Sequence, residues 1–529
     1  MSKLIKMGQS AREDLRQGAQ IVADVVGTTY GATANNVVVA ARLAYPRVLH
    51  DGLLVSKDII LDDPFRDAGA QIIKEAAAKT CDGAGDGTTA STILAYAMIE
   101  RGLAAVEKGA NRMKVRLGMN LAKDHILGKL KDFTIPIREG DVKKIATISA
   151  QDPEIGEIVA TAMEKVGKDG VVHVEDSFGK TITTEFTEGL EFEKGMMTHA
   201  FLLQKGGGEV VLEDCLVFVT DHIIGDNNDM MKILSEAEYR GRKLLIIAEN
   251  IEFQAMNTLI YNLAQNEVQA VAVFAPGYSN QKTNYLDDIS LVTGARFVER
   301  VKDRLSSVTK DDFGTAKKVV VTDEKTLIIG GGGNVEKIGE RLNSLRTQLS
   351  STVEGFKQEQ LRERIAKLVG GVAIIKVGAV TDTEAGEKKE RVNDAVLACR
   401  AAMEEGIVAG GAKTFINLSY ALETLKSEDK DVQEGIDVVA RALLVPFKVL
   451  MDNAGLNFTE SFAKVADEPD SGIDVTDGNH KDLVDAGIID PAKVTRLTIE
   501  HATSVAGALI TTNAVIVDKP EETKCQMSK

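Results

Sequence analysis

The chain has 529 residues, which is too long for one ordinary hydrophobic core and predicts two or three domains. Its formal net charge of −16 argues against nucleic acid as the main partner, because binding to phosphates requires a basic face. No run approaches the roughly 20 apolar residues of a membrane span, so we expect no membrane segment. The four cysteines lack disulfide-like or metal-like spacing, and the seven histidines form no zinc motif. These features predict a cytoplasmic protein.

The first third of the chain has the pattern of helices. Ser10 is placed to cap the helix AREDLRQGAQIVADVV, whose apolar residues recur at helical spacing. A short strand is predicted at NVVVA (36–40). A further helix, GAQIIKEAAAKT (69–80), leads into a glycine-rich segment.

From about residue 170 onward, short β-branched runs alternate with helical segments, which predicts an α/β domain. Long helices return at 392–406 and 434–455. Because both ends of the chain are helical, we expect the terminal segments to build one domain into which the middle is inserted. Pro136 stands at the first change of the pattern, and glycines also stand where the pattern changes: Gly189, Gly370, Gly371 and Gly406. Glycine can absorb backbone rotation at a hinge, although a glycine in an ordinary turn is the commoner case. The predicted strands are VVHV (171–174), CLVFV (215–219), KLLIIA (243–248), VQAVAVF (268–274) and GGVAIIKVGA (370–379).

The segment CDGAGDGTTAS (81–91) opens a predicted helix and has two interpretations. Its glycines allow close approach of an anion, the helix N-terminus supplies N–H donors, and Thr88 and Thr89 add hydroxyls. Asp86 repels a phosphate unless a cation such as Mg²⁺ lies between them. The alternative is an ordinary turn that ends in good capping residues. The segment is not a Walker A loop, because it lacks the GK[ST] ending.

Other acidic and glycine positions could belong to the same site. Asp51 lies in LHDGLLV, Asp394 in RVNDAV and Asp490 in IIDPAKVTR, and Gly410 and Gly411 form a second glycine turn. Taken singly, an aspartate before glycine or proline is a turn residue, and Asp394 could be a solvated carboxylate on a helix.

Several segments, in their order and separations, resemble those of the GroEL-type (group I) chaperonins over nearly the whole chain. They include GAQIIKEAAAKTCDGAGDGTTASTILA, ATISA, EKVGKDGVVHVED, KKERVNDAVLACRAAMEEGIVAGG, GIIDPAKVTR and HATSVAGALITT. The resemblance implies a multidomain chain of α+β and α/β domains with the chaperonin fold. Its parts would be a mainly helical equatorial ATPase domain (1–135 and 407–529), a small intermediate hinge domain (136–188 and 372–406) and an inserted α/β apical substrate-binding domain (189–371).

The resemblance also implies roles for individual residues in an ATPase that binds ATP and Mg²⁺, with K⁺ as a further candidate. Asp86 matches the Mg²⁺ ligand, and Asp51 and Asp394 match the carboxylates that act on the attacking water. Because Asp394 belongs to the intermediate domain, hydrolysis would require that domain to move towards the nucleotide. The residues expected around the nucleotide are Gly87, Thr88, Thr89, Thr29, Gly31, Gly411 and Asp490.

This chain departs from the family's pattern around the nucleotide. The usual phosphate-facing loop LGPKGRN is YGATANN here (30–36), and Ala90 replaces the third threonine of GDGTTT. The residues usually near the base become Asp474, Val475 and Thr476. The Mg²⁺ and water-activating carboxylates are intact, so we expect nucleotide binding with an altered affinity and rate.

Two amphipathic segments, NDMMKILSEAEYRG (228–241) and EFQAMNTLIYNLAQN (252–266), can be read as ordinary core helices. The resemblance instead matches some of their apolar residues to the mouth of a chaperonin ring, which binds unfolded or misfolded polypeptides and a GroES-type co-chaperonin. The matching residues are Met196, Phe201, Met231, Leu234, Met256, Ile260 and Tyr261.

The resemblance predicts a homo-oligomeric heptameric ring. Whether one ring or two assemble is open, because Asn457 and Lys448 replace the usual ion pair between rings. An alternative function is a ring-forming holdase or assembly scaffold with a slow or degenerate ATPase. The altered YGATANN loop and Ala90 favour the alternative, and the retained Asp51, Asp86 and Asp394 count against it.

Overall fold

The computed structural model describes residues 3–40, 47–49, 52–138, 140–167, 170–177, 179–204, 208–238, 243–277, 280–352, 355–466 and 468–519. The chain forms two compact units. Unit 1 comprises Met1–Thr161 and Gly386–Lys529, and unit 2 comprises Ala162–Ala385. Unit 2 is therefore inserted in the sequence of unit 1. The finer equatorial, intermediate and apical boundaries stay a prediction.

The N-terminal segment begins with a strand and is then mainly helical. Its elements are β1 (Lys3–Met7), α1 (Gly8–Gly27), β2 (Val37–Val39), β3 (Arg47–Leu49), α2 (Gly52–Asp58), α3 (Pro64–Ala84), α4 (Thr88–Glu107), α5 (Arg112–Phe133), α6 (Asp141–Ala150) and α7 (Pro153–Val166).

The middle segment alternates strands and helices. Its elements are β4 (Val171–Asp176), β5 (Thr183–Phe192), β6 (Val210–Thr220), β7 (Ile223–Ile224), α8 (Asn227–Glu238), β8 (Lys243–Ala248), β9 (Asn250–Ile251), α9 (Phe253–Ala264), β10 (Ala270–Phe274), α10 (Asn280–Thr293), β11 (Phe297–Val298), β12 (Gly314–Val321), β13 (Thr326–Gly331), α11 (Val335–Ser351), α12 (Gly355–Val369) and β14 (Gly371–Val377).

The C-terminal segment returns to helices. Its elements are α13 (Asp382–Glu405), β15 (Ile407–Ala409), α14 (Lys413–Ala421), α15 (Lys430–Ala442), α16 (Val445–Asn453), α17 (Phe458–Val465), β16 (Ser471–Asp474), β17 (Asn479–Asp482), α18 (Leu483–Ala486), β18 (Ile489–Pro491), α19 (Ala492–Thr511) and β19 (Ala514–Asp518).

The core of unit 1 is built from both ends of the chain. Apolar faces of α1, α3, α4, α5, α15, α16 and α19 contribute to one buried cluster. In α1, Leu15, Ala19, Val22 and Val26 recur at helical spacing and are buried, as the sequence predicts. The predicted cap is wrong, because α1 already begins at Gly8 and Ser10 lies inside the helix.

The predicted helix 434–455 is also wrong in its continuity. It is divided into α15 and α16, and Pro446 lies in the first turn of α16. Proline has no N–H to donate and is tolerated in a first turn but not in a helix interior, which explains the break.

Unit 2 contains a mixed sheet with the strand order β10–β8–β6–β12–β13–β5–β14–β4, and β11 pairs with β6. The predicted strands at 171–174, 215–219, 243–248, 268–274 and 370–379 correspond to β4, β6, β8, β10 and β14. Residues 215–219 of β6 and almost all of β8 are buried, which explains their continuous apolar runs. Among the described residues, none of the helices has both the length and the apolar character needed to span a bilayer.

Candidate functional site

The GDGTT turn (residues 85–89) joins α3 to α4 in unit 1. Gly85 and Gly87 have φ angles of +71° and +81°, which a residue with a side chain rarely adopts. The carboxylate of Asp86 accepts a hydrogen bond from the N–H of Gly87 at 2.5 Å. The first bond within α4 runs from Ser91 N–H to the Gly87 carbonyl, so the N–H groups before Ser91 have no helical acceptor. These free N–H groups and the helix dipole together favour the binding of an anion at the N-terminus of α4.

The loop after α1 lies against this turn. Thr29 is buried, and its Oγ1 is 3.5 Å from Oγ1 of Thr89. The Thr29 hydroxyl donates to the carbonyl of Val26 at 2.8 Å. Asp51 lies outside the described residues, but the next residue, Gly52, is described. A methyl group on Gly52 would lie 2.2 Å from the Thr89 Oγ1, so α2 begins directly beside the turn.

The second glycine turn follows β15. Strand β15 pairs with β18, and Val408 lies opposite Asp490. The N–H of Gly410 donates to the carbonyl of Ile488 at 2.9 Å, and Gly411 has a φ of +57°. Strand pairing therefore places the second glycine turn and Asp490 in one small sheet, although Gly411 and Asp490 are 79 positions apart in the sequence.

Electrostatic effects connect the second glycine turn to the first. Burial, and then the negative charge of Asp86, raise the pKa of Asp490 to about 7. Burial, and then Asp490 and Asp86, also raise the pKa of the Tyr30 hydroxyl. Charge effects of this kind act over short distances, so Asp86 lies within electrostatic range of both Asp490 and Tyr30. Tyr30 stands in the altered YGATANN loop and was not predicted as a site residue.

Helix α13 brings Asp394 to the same region of unit 1. Leu397 lies against Gly85, and Ala401 packs in a small cluster with Ala84. Asp394 is half-buried and precedes Leu397 by three residues, which places the two on one face of α13. The helix that carries Asp394 therefore contacts the turn that carries Asp86.

Ion pairs hold the C-terminal end of α13 against α19. Lys493 lies 2.7 Å from Glu404, and Arg496 lies 2.7 Å from Glu405. Helix α19, which follows Asp490 in the sequence, therefore helps to keep α13 in contact with the turn.

Two of the departures from the family pattern, Ala90 and the YGATANN loop, lie in different surroundings. Ala90 is 7 % exposed and belongs to the core of unit 1, so its position offers no hydroxyl to the site. Thr33, in the altered loop, has a buried Oγ1 without a hydrogen-bond partner among the described residues. Gly31 packs over Leu450, where a methyl group would lie 2.2 Å from Cδ1.

The donor set suits Mg²⁺ better than a softer metal. Among the described residues, no group of three or more His, Cys, Asp or Glu side chains could hold a metal ion. A cation beside Asp86 would therefore need phosphate and water oxygens as its other ligands, which is how Mg²⁺ binds with nucleotides. Burial is the main cause of the raised pKa of Asp490, and the negative charge of Asp86, which such a cation would offset, adds to it.

Three of the apolar residues predicted for the ring mouth lie in the core of unit 2. Met196, Phe201 and Leu234 are at most 7 % exposed and pack in its main cluster. For these three, the core interpretation of the amphipathic pattern holds in this structure. A periodic pattern alone does not tell which of two apolar neighbours faces inward.

The other four residues of that prediction are exposed or half-buried, and Met256 also packs against the main cluster of unit 2. Met231 on α8 is 48 % exposed, Tyr261 on α9 is 66 % exposed, and Met256 and Ile260 on α9 are half-buried. Phe253, at the start of α9, is 80 % exposed and was missed. Its spacing of three residues from Met256 was the available signal. We call Met231, Phe253, Met256, Ile260 and Tyr261 the apical apolar surface.

The fold and the site together define a chaperonin. The model of the TCP-1/cpn60 chaperonin family matches residues 22–520, and the chain belongs to this family. The predicted chaperonin fold is confirmed, and so is the predicted function as an ATP-dependent chaperonin at the level of the family. The scaffold alternative is not favoured.

Two solved structures show the same fold. Both are crystal structures of the chaperonin gp146 from the bacteriophage EL 2 (Pseudomonas aeruginosa), determined in the presence of ATP-BeFx. Crystal form II has a TM-score of 0.75 and 20 % identity, covering 98 % of this chain and 100 % of that chain. Crystal form I has a TM-score of 0.68 and 19 % identity, with coverages of 98 % and 99 %.

Proposed function

We propose that this chain is an ATP-hydrolysing chaperonin that binds Mg-ATP in unit 1 and non-native polypeptides on the apical apolar surface of unit 2. The observation that carries the nucleotide site is the convergence of four separate segments on the GDGTT turn. They are the loop with Thr29, the start of α2 at Gly52, the helix α19, which follows Asp490 and packs on Gly87 through Val494, and the helix with Asp394.

The roles in the nucleotide site follow from the chemistry of each group. Asp86 holds the cation, and the first-turn N–H groups of α4, with Gly87, Thr88 and Thr89, surround the phosphates. Mg²⁺ supplies neutralisation of the charge that develops on the transferred phosphoryl group. K⁺ is a candidate for a second cation.

The remaining residues are assigned to the two ends of the nucleotide. Thr29 and Gly31 line the phosphate side of the loop. Gly411 and Asp490 lie at the ribose and base side. Asp394 and Asp51 orient the attacking water and accept its proton, because a carboxylate next to a water is a suitable general base.

The apical apolar surface supports binding of unfolded chains. Non-native polypeptides share unburied apolar groups, and an exposed apolar patch recognises them without a sequence motif. Two of its five residues are methionines, whose flexible side chains adapt to different partners. A GroES-type co-chaperonin is proposed as a second ligand of this surface.

We further propose a homo-oligomeric ring of seven chains. Seven copies of the 56.9 kDa chain weigh about 398 kDa, and a double ring weighs twice as much. Mass photometry with and without Mg-ATP distinguishes a monomer, a single ring and a double ring.

The direct test of folding activity is the refolding of a chemically denatured model enzyme. We expect the recovered activity to rise when the chain, Mg²⁺ and ATP are all present, relative to reactions without ATP. A holdase would suppress aggregation of the model enzyme but would give the same recovered activity with and without ATP, and that result would reject the proposed function.

A further inference from the structure

The side-chain amide of Asn453 connects α16 to the loop that follows α1. Its Nδ2 donates to the carbonyl of Gly27 and to the carbonyl of Tyr30, both at 2.9 Å. Asn453 is the last residue of α16, and its partners lie more than 420 positions away in the sequence. One amide group therefore holds both ends of a short stretch of backbone.

The stretch between these two carbonyls contains Thr29. Tyr30 N–H donates to the Gly27 carbonyl at 3.2 Å, and Asn35 N–H donates to the Thr28 carbonyl at 2.9 Å. These turn bonds are local to the loop itself. The Asn453 amide attaches the turn to another element of unit 1.

A second contact from α16 holds the next residue of the loop. Gly31, with a φ of +98°, packs over Leu450, which precedes Asn453 by three residues. The same face of α16 thus supports the loop twice, once by packing and once by hydrogen bonds. Between the two supports, Thr29 is directed towards Thr89 of the GDGTT turn.

A loop held only by its own turn bonds samples more conformations than a loop that is also attached to a helix. A ligand that must order such a loop binds with lower affinity, because the ordering costs conformational entropy. We propose that Asn453 is a positioning residue for the nucleotide site: its amide fixes the loop of Thr29 and Gly31 in the conformation that receives the phosphates. This inference rests on the proposed function, because it assigns the loop to a nucleotide.

The test compares Asn453→Ala and Asn453→Asp with the unchanged chain. Aspartate has the shape of asparagine but no N–H group to donate. Because its negative charge itself repels phosphate, hydrogen exchange of the loop in the ligand-free protein provides the readout that does not depend on that repulsion. Asn417→Ala is the matched control, because Asn417 also donates its side-chain amide to a backbone carbonyl, that of Pro469 at 2.8 Å. Isothermal titration calorimetry with Mg-ADP gives Kd, and steady-state kinetics with Mg-ATP gives KM and kcat.

We expect both Asn453 variants to raise Kd and KM about tenfold, which corresponds to the loss of two neutral hydrogen bonds. The kcat is expected to stay within about twofold, because the loop carries no water-activating carboxylate. Asn417→Ala should lower the melting temperature of the ligand-free protein without changing Kd. Hydrogen exchange of loop residues 28–35 in the ligand-free protein should be faster in both Asn453 variants only.

The outcomes separate the two proposals. If the unchanged chain binds Mg-ADP and both Asn453 variants bind it with the same Kd as the unchanged chain, the positioning role is rejected and the proposed function stands. If Asn453→Asp keeps the affinity while Asn453→Ala loses it, packing rather than hydrogen bonding holds the loop, and the inference is also rejected. If the unchanged chain binds no nucleotide, the proposed function fails and the inference falls with it.

Discussion

Leu397 on α13 lies directly over Gly85 in the GDGTT turn. A methyl group on Gly85 would be 2.1 Å from the Cβ of Leu397, which is far inside van der Waals contact. Because Asp394 lies one turn earlier on the same helix, this contact sets how closely the Asp394 segment of α13 approaches the turn. Glycine at position 85 therefore serves two purposes, the left-handed turn and the close approach of α13.

Gly85→Ala is predicted to slow ATP hydrolysis more than it weakens ATP binding. The added methyl group would displace α13 and Asp394 from the turn, and displacement of a catalytic group by about 1 Å can reduce a rate about 100-fold. The measurement is kcat together with the Kd for ATP. Gly109→Ala is the control, because Gly109 has a φ of +102° but no atom within 4 Å of an added methyl group. Equal kcat values for the two variants would contradict the proposed role of the contact.

Tyr261→Ser is predicted to weaken the binding of a denatured client protein about tenfold. The exposed ring supplies apolar area that a bound chain would bury, and burial of a large side chain contributes about 2 kcal/mol. Fluorescence anisotropy of a labelled denatured protein measures the affinity. Val301→Ser is the control, since Val301 is 88 % exposed in unit 2 but lies outside the apical apolar surface. An equal loss in both variants would indicate non-specific binding to any exposed apolar residue.

Asp490→Asn is predicted to stabilise the ligand-free protein more at pH 8 than at pH 5. The raised pKa of about 7 means that the folded state holds the Asp490 proton up to a higher pH than the unfolded state does. Stability is therefore lost as the pH rises from the unfolded value near 4 to about 7, and asparagine avoids this loss. The melting temperature in EDTA measures the effect.

Asp485→Asn, at an exposed position of α18, controls for the removal of one negative charge. A gain from Asp490→Asn that is no larger at pH 8 than at pH 5 would contradict the raised pKa of Asp490 in the folded protein. A gain of equal size from Asp485→Asn would show that the effect comes from net charge and not from the surroundings of Asp490.

Asp288→Ala is predicted to destabilise unit 2 by about 3–5 kcal/mol, because it leaves a buried arginine without its partner. Asp288 accepts two hydrogen bonds from Arg364, at 2.7 and 2.9 Å, and one from Arg341 at 3.0 Å. Both Asp288 and Arg364 are buried. Hydrogen exchange of β5 and β13 under increasing urea measures the change.

Glu185→Ala removes an exposed pair with Lys376 in the same unit and is expected to change stability by at most about 1 kcal/mol. If the two variants were equally stable, the buried ion pair would have no special role in joining α12 to α10.

The sequence predicts β4, β6, β8, β10 and β14 of the main sheet, each of which has a β-branched run, but β5, β12 and β13 of the same sheet were not singled out. The break at Pro446 is predictable, because proline is not tolerated in a helix interior, but the apolar face that continues on both sides of it favours one helix. The sequence also does not predict that α1 begins before Ser10. Ser10 is a good capping residue, but it lies inside the helix, and the helix begins without a side-chain cap.

The site is predictable only in part. The GDGTT turn and Asp490 can be found from residue types, and the resemblance joins them to Asp394. Asn453 cannot be found in this way, because its partners are the carbonyls of Gly27 and Tyr30, and any residue has a carbonyl. Whether Met196 or Met231 faces solvent depends on which neighbours cover it, and that information lies in the packing of unit 2.

The most direct test of the proposed function is the rate of ATP hydrolysis by the unchanged chain and by Asp394→Ala, measured with Mg²⁺ and with EDTA. We expect Mg²⁺-dependent turnover in the unchanged chain. In Asp394→Ala, kcat should fall by at least about 100-fold, the usual contribution of a positioned general base, while ATP is still bound. No turnover above background in the unchanged chain, or an unchanged rate in Asp394→Ala, would contradict the proposed mechanism.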